Sequence, residues 1–219
     1  GVAVGMPKGG DSLEGKILLY TWNLTNYLNI SGTQLGAYFG YALASSDVDG
    51  DGTDDLIIGA PLHTEKNTEN KYEVGRVVIA LQGKDGSFSK RVILDGYKSK
   101  SRFGLSLSTL GDLNLDGYGD FAVGAPYDGP FERGAVYIFQ GAPGGDVKKY
   151  SQVIYAEDLQ KSYIGLAPVS TFGFSIAGGL DLDGNDYPDV AIGAYLSDVA
   201  YFFRARPVVK VEAYVKFLT

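Results

Sequence analysis

Short apolar runs recur along this chain, and glycine-rich or acidic turns separate them. Representative runs lie at Gly75–Gln82, Arg91–Leu94, Gly134–Gln140 and Gln152–Ala156. Runs of this length, rich in β-branched and aromatic residues, are typical of β-strands and too short for most helices. The pattern therefore predicts an all-β protein whose many short strands are joined by tight turns.

The pattern repeats at an interval of about 65 residues. Phe-Gly pairs begin at Phe39, Phe103 and Phe172, which are 64 and 69 residues apart, and a Gly-Ala pair follows each of them at Gly59, Gly124 and Gly193. Each unit contains one strand, an acidic loop, a strand ending in Gly-Ala and then two more strands. This order predicts four-stranded antiparallel blades, and blades arranged around a channel form a β-propeller of about four to eight blades.

The two ends of the chain depart from this unit. Residues 1–38 match only the later part of an earlier unit, and the last unit has a single strand, Val199–Phe203, after its Gly-Ala pair. Beyond Pro207 the sequence alternates strictly between apolar and polar residues, as in a half-buried strand. We therefore predict a partial propeller over 1–205 and the first strand of a β-sandwich over 206–219.

Three nine-residue acidic loops carry side-chain oxygens at their positions 1, 3, 5 and 9. A sharply turned loop with this spacing can surround a hard cation with oxygen, with a backbone carbonyl at position 7. Calcium suits such a loop better than magnesium, which requires near-ideal octahedral geometry. The predicted ligands are Asp47, Asp49, Asp51, the Thr53 carbonyl and Asp55; Asp112, Asn114, Asp116, the Tyr118 carbonyl and Asp120; and Asp181, Asp183, Asn185, the Tyr187 carbonyl and Asp189.

Simple hydrophilic tips and EF-hands both fit these loops less well than propeller calcium sites do. Asp/Gly-rich turns often occur as hydrophilic tips, but three of them stand in the same register here. An EF-hand needs a Glu at position 12, where this chain has Ile58, Val123 and Ile192. In the partial first unit Gly1 occupies position 9, so the sequence predicts three calcium ions and not four.

Charge and composition narrow the function. The formal net charge is −7, and twelve of the 26 acidic residues lie within the three loops. An acidic surface disfavours nucleic acids and anionic membranes as partners. The chain lacks cysteine, a long apolar run and a leading basic-apolar segment, so any targeting or membrane-spanning sequence is expected outside it.

The repeated Phe-Gly, acidic loop and Gly-Ala-Pro units resemble the FG-GAP repeats of integrin α subunits along nearly the whole chain. Supporting segments are Tyr38–Tyr41, Arg102–Gly104, Gly111–Leu113, Tyr187–Asp189 and Arg204–Pro207. The resemblance implies a seven-bladed propeller, of which this chain holds the end of the fourth blade through the seventh, and a start of the thigh domain. It further implies the extracellular part of a single-pass type I membrane protein at the cell surface.

The resemblance also implies partners. The α subunit pairs with a β subunit and binds an extracellular-matrix protein, and the calcium ions stiffen the blades away from the ligand. Turn sequences starting at Gly124 and Gly193 are more similar to those of the laminin-binding subgroup than to those of the subgroup that reads Arg-Gly-Asp. In the family fold Tyr41 and Phe174 would line the top of the central shaft and grip a basic side chain of the β subunit, with simple strand packing as the alternative. Alternation would place Phe39 and Tyr41 on one strand face.

Two N-glycosylation sequons, at Asn23 and Asn29, agree with a secreted protein. The alternatives are a secreted lectin module or a phospholipase-type enzyme with similar repeats. Against an enzyme, the chain has a single histidine, His63, in a polar loop where a solvated side chain is expected, and no Gly-x-Ser-x-Gly sequence. We therefore expect no catalytic residue.

Overall fold

The computed structural model describes residues 1–65, 71–160 and 168–207, which are predominantly β-strands and turns. The one α-helix of these ranges, α1, covers Ala156–Gln160, and no helix in them is long and apolar enough to cross a membrane. The strands are β1 (Val2–Met6), β2 (Lys16–Tyr20), β3 (Asn26–Ser31), β4 (Leu43–Ser46), β5 (Asp55–Ala60), β6 (Arg76–Leu81), β7 (Lys90–Asp95), β8 (Ser106–Gly111), β9 (Asp120–Ala125), β10 (Ala135–Phe139), β11 (Gln152–Tyr155), β12 (Phe172–Leu180), β13 (Asp189–Ala194) and β14 (Val199–Phe203).

These strands form four antiparallel sheets in chain order. Blade 1 is β1-β2-β3, blade 2 is β4-β5-β6-β7, blade 3 is β8-β9-β10-β11 and blade 4 is β12-β13-β14. The prediction of four-stranded blades is confirmed in blades 2 and 3, and within the described residues blade 4 has one strand beyond its Gly-Ala pair, as the sequence indicated. The first strands of blades 2, 3 and 4 contact one another in order, so the sheets stand side by side as a segment of a β-propeller.

The apolar cores lie between neighbouring blades. Along β5, Ile57 belongs to the core shared with blade 3, whereas Leu56 and Ile58 belong to the core shared with blade 1. Both faces of the middle strands are therefore buried, which explains why the residues of β5 after Asp55 are apolar without alternation. The phenylalanines of the Phe-Gly pairs fill the core against the preceding blade: Phe39, Phe103 and Phe172.

Each Phe-Gly pair occupies the two central positions of a turn. The Tyr41 amide donates to the Tyr38 carbonyl at 3.0 Å, and Gly40 has φ of 86°. This positive φ at the third turn residue is the requirement of a type II turn, which explains the glycine. The residue before each pair is also left-handed, with φ of 59° at Tyr38, 53° at Arg102 and 59° at Thr171.

Two predictions made from the strand pattern have different outcomes. The prediction that Phe39 and Tyr41 share a strand face is wrong, because both lie in the turn before β4, with Phe39 buried and Tyr41 half-exposed. The predicted sandwich strand over 206–219 lies almost entirely outside the described residues, which end at 207, and it stays a prediction.

Candidate metal centres

The first aspartate of each acidic loop holds the loop in its turned shape. Asp47 accepts hydrogen bonds from the amides of Gly50 at 2.9 Å, Asp51 at 3.1 Å and Gly52 at 2.9 Å. The same side chain–backbone turn recurs at position 1 of the other loops, where the donors are Asp116 and Gly117 for Asp112, and Gly184, Asn185 and Asp186 for Asp181. The three loops therefore have the same local fold, as their common spacing predicted.

The aspartate at position 9 ties each loop to the end of the third strand of its blade. Asp55, Asp120 and Asp189 are buried, at 1%, 0% and 2% exposure. One carboxylate oxygen of each accepts the amide of loop position 2, and the other accepts an amide that follows the third strand of the same blade. The donors are Val48 and Gln82, Leu113 and Gly141, and Leu182 and Ala205, at 2.8–3.0 Å.

Burial also changes the acidity of two of these groups. It raises the pKa of Asp55 and of Asp120 to about 6, although the amide hydrogen bonds oppose the shift. The charged neighbours Asp49 and Asp47 raise the pKa of Asp55 further. A cation beside these oxygens would favour the charged form, because an opposite charge stabilises a carboxylate that burial destabilises.

Carboxylates of loop positions 1, 3 and 9 converge. In the first loop Asp47, Asp49 and Asp55 each offer an oxygen, and these oxygens lie within 4.8 Å of one another. Asp181, Asp183 and Asp189 form the same group in the third loop. An ionised carboxylate oxygen retains lone pairs after accepting one amide hydrogen bond, so these groups fit a hard cation.

The second loop has an amide at position 3 in place of a carboxylate. The Asn114 nitrogen donates to Asp116 Oδ2 at 2.8 Å, whereas Asn114 Oδ1 is buried and has no hydrogen-bond partner. A buried oxygen without a donor is destabilising by about 1–3 kcal/mol. A cation at this position would satisfy it, so the second loop also fits the predicted ligand set.

Position 5 does not join the converging carboxylates. Asp51 accepts the Thr53 hydroxyl and the Thr53 amide, the latter at 2.8 Å, and these hydrogen bonds lower the pKa of its carboxyl. Asn185 Oδ1 similarly accepts the Tyr187 amide at 2.8 Å. The described geometry thus brings positions 1, 3 and 9 together in the first and third loops, whereas ligation by position 5 and by the carbonyls of Thr53, Tyr118 and Tyr187 remains predicted.

The two aromatic residues predicted to meet a partner lie at the opposite ends of the blades from the acidic loops. Tyr41 is 49% exposed and its ring centroid lies 6.4 Å from that of Tyr38. Phe174 is 37% exposed and its ring lies 4.4 Å, centroid to centroid, from that of Tyr195. Neither ring belongs to an interblade core, so strand packing alone does not account for them.

Both predicted glycosylation asparagines are exposed. Asn23 lies in the turn between β2 and β3, and Asn29 lies on β3, the outer strand of blade 1. Asn29 Oδ1 accepts a hydrogen bond from Asn26 at 3.1 Å. Both side chains are thus accessible to a modifying enzyme.

The sequence did not reveal the residues after the third strands that donate hydrogen bonds to the position-9 carboxylates. Gln82, Gly141 and Ala205 bind these carboxylates through their backbone amides, and a backbone amide has no side-chain signature. The one usable signal was spacing, because each of them follows directly or closely after the third strand of its unit. His63 was also missed, since it is buried at 6% exposure and not solvated.

Comparison with known proteins identifies the repeated unit. The FG-GAP repeat family model matches residues 39–79, 103–139 and 172–205, which together are about half of the chain. These ranges run from the Phe-Gly turn into the third strand of blades 2, 3 and 4, each with its acidic loop.

Several curated proteins are similar over almost the whole chain. Integrin alpha-PS2 of Drosophila melanogaster is 57% identical over 99% of this chain and 16% of its own length. Integrin alpha-5 of Xenopus laevis is 43% identical over 96% of this chain, and Integrin alpha-8 of Mus musculus is 41% identical over 97%. The chain spans 20% of the length of each of these last two relatives.

Proposed function

The chain belongs to the FG-GAP repeat family, and from this membership we propose that it is part of the extracellular head of an integrin-like α subunit. The observation that carries the proposal is the similarity to integrin alpha chains along 96–99% of the chain. The protein would act in cell–matrix adhesion, as a heterodimer with a β subunit. It would be anchored in the cell surface as a type I membrane protein by regions outside this chain.

Three Ca²⁺ ions would serve this function structurally. The converging oxygens of the first and third loops and the unsatisfied Asn114 oxygen of the second support three sites. An ion in each loop would hold the position-9 aspartate, and through it the end of the third strand, in place. The ions would therefore stiffen each blade and supply no reacting group.

An adhesion role without catalysis is favoured over the enzyme and lectin alternatives. The acidic residues of the loops are engaged in holding their own turns, and His63 is buried. A general base must reach a substrate proton, and a histidine with 6% exposure is poorly placed for that. The related integrin alpha chains are adhesion receptors, and no residue of this chain is proposed to be catalytic.

Recovery of the full-length protein from the cell surface tests the heterodimer. The protein would be expressed in cells, isolated through an affinity tag under mild detergent, and the co-purifying chains identified by mass spectrometry. An integrin-type β subunit in stoichiometric amount is the expected result. Recovery of the α chain alone from intact cell surfaces would contradict the proposal.

The ligand is proposed only as an extracellular-matrix protein. Laminin follows from two turn sequences and is the first ligand to be tested, by adhesion of cells bearing the heterodimer to laminin-coated surfaces. Equal adhesion to laminin and to an uncoated surface, with stronger adhesion to another matrix protein, would remove laminin and leave the adhesion function in place.

A further inference from the structure

The acidic loops of blades 2 and 3 are joined directly by backbone hydrogen bonds. The Gly119 amide, at position 8 of the second loop, donates to the carbonyl of Asp47 at 2.7 Å. The Ala142 amide donates to the carbonyl of Val48 at 3.0 Å. Asp47 is position 1 of the first loop, so a predicted ligand of one site is bonded to the other loop.

These bonds connect the anchoring aspartates of both loops. Asp120 is the residue after Gly119, and its carboxylate accepts the Gly141 amide at 3.0 Å, next to Ala142. On the other side, the Val48 amide donates to Asp55 Oδ2 at 3.0 Å. A continuous series of hydrogen bonds and adjacent residues therefore runs from Asp55 through Val48 and Ala142 to Asp120.

Side chains add to this contact. The Tyr118 ring lies over Gly50, so closely that a Cβ at Gly50 would stand 2.7 Å from Tyr118 Cε1. Thr109 at the end of blade 3's first strand donates to the Ser46 hydroxyl at 3.3 Å. The tip and the base of the first loop both contact blade 3.

The next pair of loops lacks the equivalent donor. Position 8 of the third loop is Pro188, which has no amide hydrogen and so cannot donate to the carbonyl of Asp112. Its ring packs instead on Gly111, where a Cβ would lie 3.2 Å from Pro188 Cγ. Gly111 directly precedes the second loop, as Ser46 directly precedes the first. The interface of blades 2 and 3 therefore has Ser46 and Gly119 where the interface of blades 3 and 4 has Gly111 and Pro188.

We propose that the first and second loops bind calcium cooperatively, coupled through Gly119 and Ala142, and that the third loop binds independently of the first. The inference rests on the proposed calcium function. Ordering one loop fixes the groups to which the other loop is bonded, so the second ion orders fewer residues when it binds. The coupling is reciprocal, as linkage requires.

Hydrogen exchange of the full-length heterodimer, followed by mass spectrometry over a range of free Ca²⁺, reports each loop separately. We expect Asp112→Asn, at position 1 of the second loop, to shift the calcium midpoint of the 47–55 peptide at least about fivefold upward, within the usual range of coupled sites. The position-matched control is Asp181→Asn in the third loop, which removes the same charge, and we expect it to move that midpoint by less than about twofold.

A decoupled background separates backbone coupling from simple charge loss. The double variant Ser46→Gly with Gly119→Pro places at this interface the residue types of the Gly111–Pro188 interface, and it removes no carboxylate. That background keeps the Ala142–Val48 hydrogen bond, so Asp112→Asn should shift the 47–55 midpoint there by clearly less than in the original background. An undiminished shift there, or no shift of that midpoint in the original background, would overturn the coupling.

The wild-type titration distinguishes failure of the coupling from failure of the calcium proposal. Protection of all three loops that rises with calcium, without the transmitted shift, would overturn the coupling alone. Loops whose exchange does not change with calcium would overturn both the three-site proposal and the coupling that rests on it.

Discussion

The Cα of Gly59 lies directly against the carbonyl oxygen of Gly104, with which a Cβ at residue 59 would collide. Gly59 belongs to the Gly-Ala pair of blade 2, and Gly104 belongs to the Phe-Gly turn of blade 3. The same approach joins Gly5 to Gly40 and Gly124 to Gly173. The two glycine pairs that define the repeat are thus the two sides of one contact between neighbouring blades.

Replacing the glycine on one side of this contact is expected to destabilise the protein. Gly59→Ala or Gly124→Ala should lower the free energy of unfolding by about 1–3 kcal/mol, because the added methyl group meets rigid backbone. Thermal or denaturant unfolding measures the loss. Gly83→Ala is the control, since a Cβ there meets chiefly the Asp85 side chain, at 3.0 Å; an equal loss in the control would contradict this steric cause.

Calcium stoichiometry tests the three sites. The triple variant Asp55→Asn, Asp120→Asn and Asp189→Asn should lose about three equivalents of calcium, because each substitution removes a converging or buried ligand oxygen and its charge. Titration calorimetry after chelator treatment gives the count. Asp54→Asn with Asp186→Asn is the control, which removes loop charges outside the predicted ligands and should keep all the ions bound.

Chelation is expected to reduce stability as well. An ion that binds only the folded state adds about 2.7 kcal/mol per site at a hundredfold excess over Kd. The melting temperature should therefore fall when calcium is removed and recover when it is returned. A melting temperature unchanged by chelator, in protein shown to have lost its calcium, would contradict a stiffening role.

The free energy of unfolding should decrease as the pH is lowered, because of His63. Burial and the neighbouring Arg76 guanidinium lower the pKa of His63 below its usual value of 6.5, while Asp95 and Glu65 oppose this. Below pH of about 6.5 the unfolded chain binds a proton that the folded protein binds less well, so the free energy of unfolding decreases by at most about 1.4 kcal/mol per pH unit. Above that pH the effect vanishes.

The His63 effect can be isolated by comparison with His63→Gln in saturating calcium. The difference in stability between the two proteins should change as the pH falls from about 6.5 to 5.5 and stay constant above about pH 7, in a denaturant titration series. Carboxylate titrations are common to both proteins and cancel in the difference. Parallel pH profiles would show that His63 is not responsible.

Exposed aromatics test the proposed contact with a β subunit. Tyr41→Ala with Phe174→Ala should lower heterodimer recovery more than it lowers the melting temperature, because both rings lie outside the interblade cores. Co-purification and thermal unfolding of the same preparations provide the comparison. Tyr195→Ala disrupts the ring pair with Phe174 from the other side and controls for local packing; proportional losses in both assays would favour packing.

Glycosylation is predicted at the two exposed sequons. Peptide mapping of protein from a eukaryotic secretory host should find glycan on Asn29 and on Asn23, because neither side chain is buried. Asn29→Gln and Asn23→Gln should each remove one glycan mass. If both asparagines are unmodified in the wild-type protein, the support for an extracellular location from these sequons is lost.

The blades could be predicted from sequence because their determinants are local. Strand length, apolar content and the loop spacing from Asp47 to Asp55 all lie within a few consecutive residues. The contact of Gly59 could not be predicted in this way, since its partner Gly104 lies in the next repeat and offers a carbonyl that every residue has. Tyr41 was misplaced because alternation cannot show that Tyr38 and Gly40 adopt positive φ.

The features of the candidate sites also divide into those that the local sequence predicts and those that it does not. The turn held by position 1 and the placement of position 9 at the start of the next strand could be predicted from the spacing, because both depend on consecutive residues. The burial of His63 could not, since it depends on packing near Arg76 of the next strand, which the loop spacing does not show. The sequence shows that Pro188 lacks an amide hydrogen. The consequence for contact between loops became visible only in the structure, where the equivalent amide of Gly119 donates to the neighbouring loop.

The division of each middle strand between two cores restricts how the chain can change in length. Ile57 and Ile58 are adjacent in sequence and face different blades, so one inserted residue within β5 would exchange the two sets of side chains and misalign both interfaces at once. The connections carry no such restriction: residues 61–75, 126–134 and 195–198 join equivalent strands with very different lengths. Deletions and insertions compatible with folding should therefore be found in those connections, and strands β5 and β9 should tolerate neither.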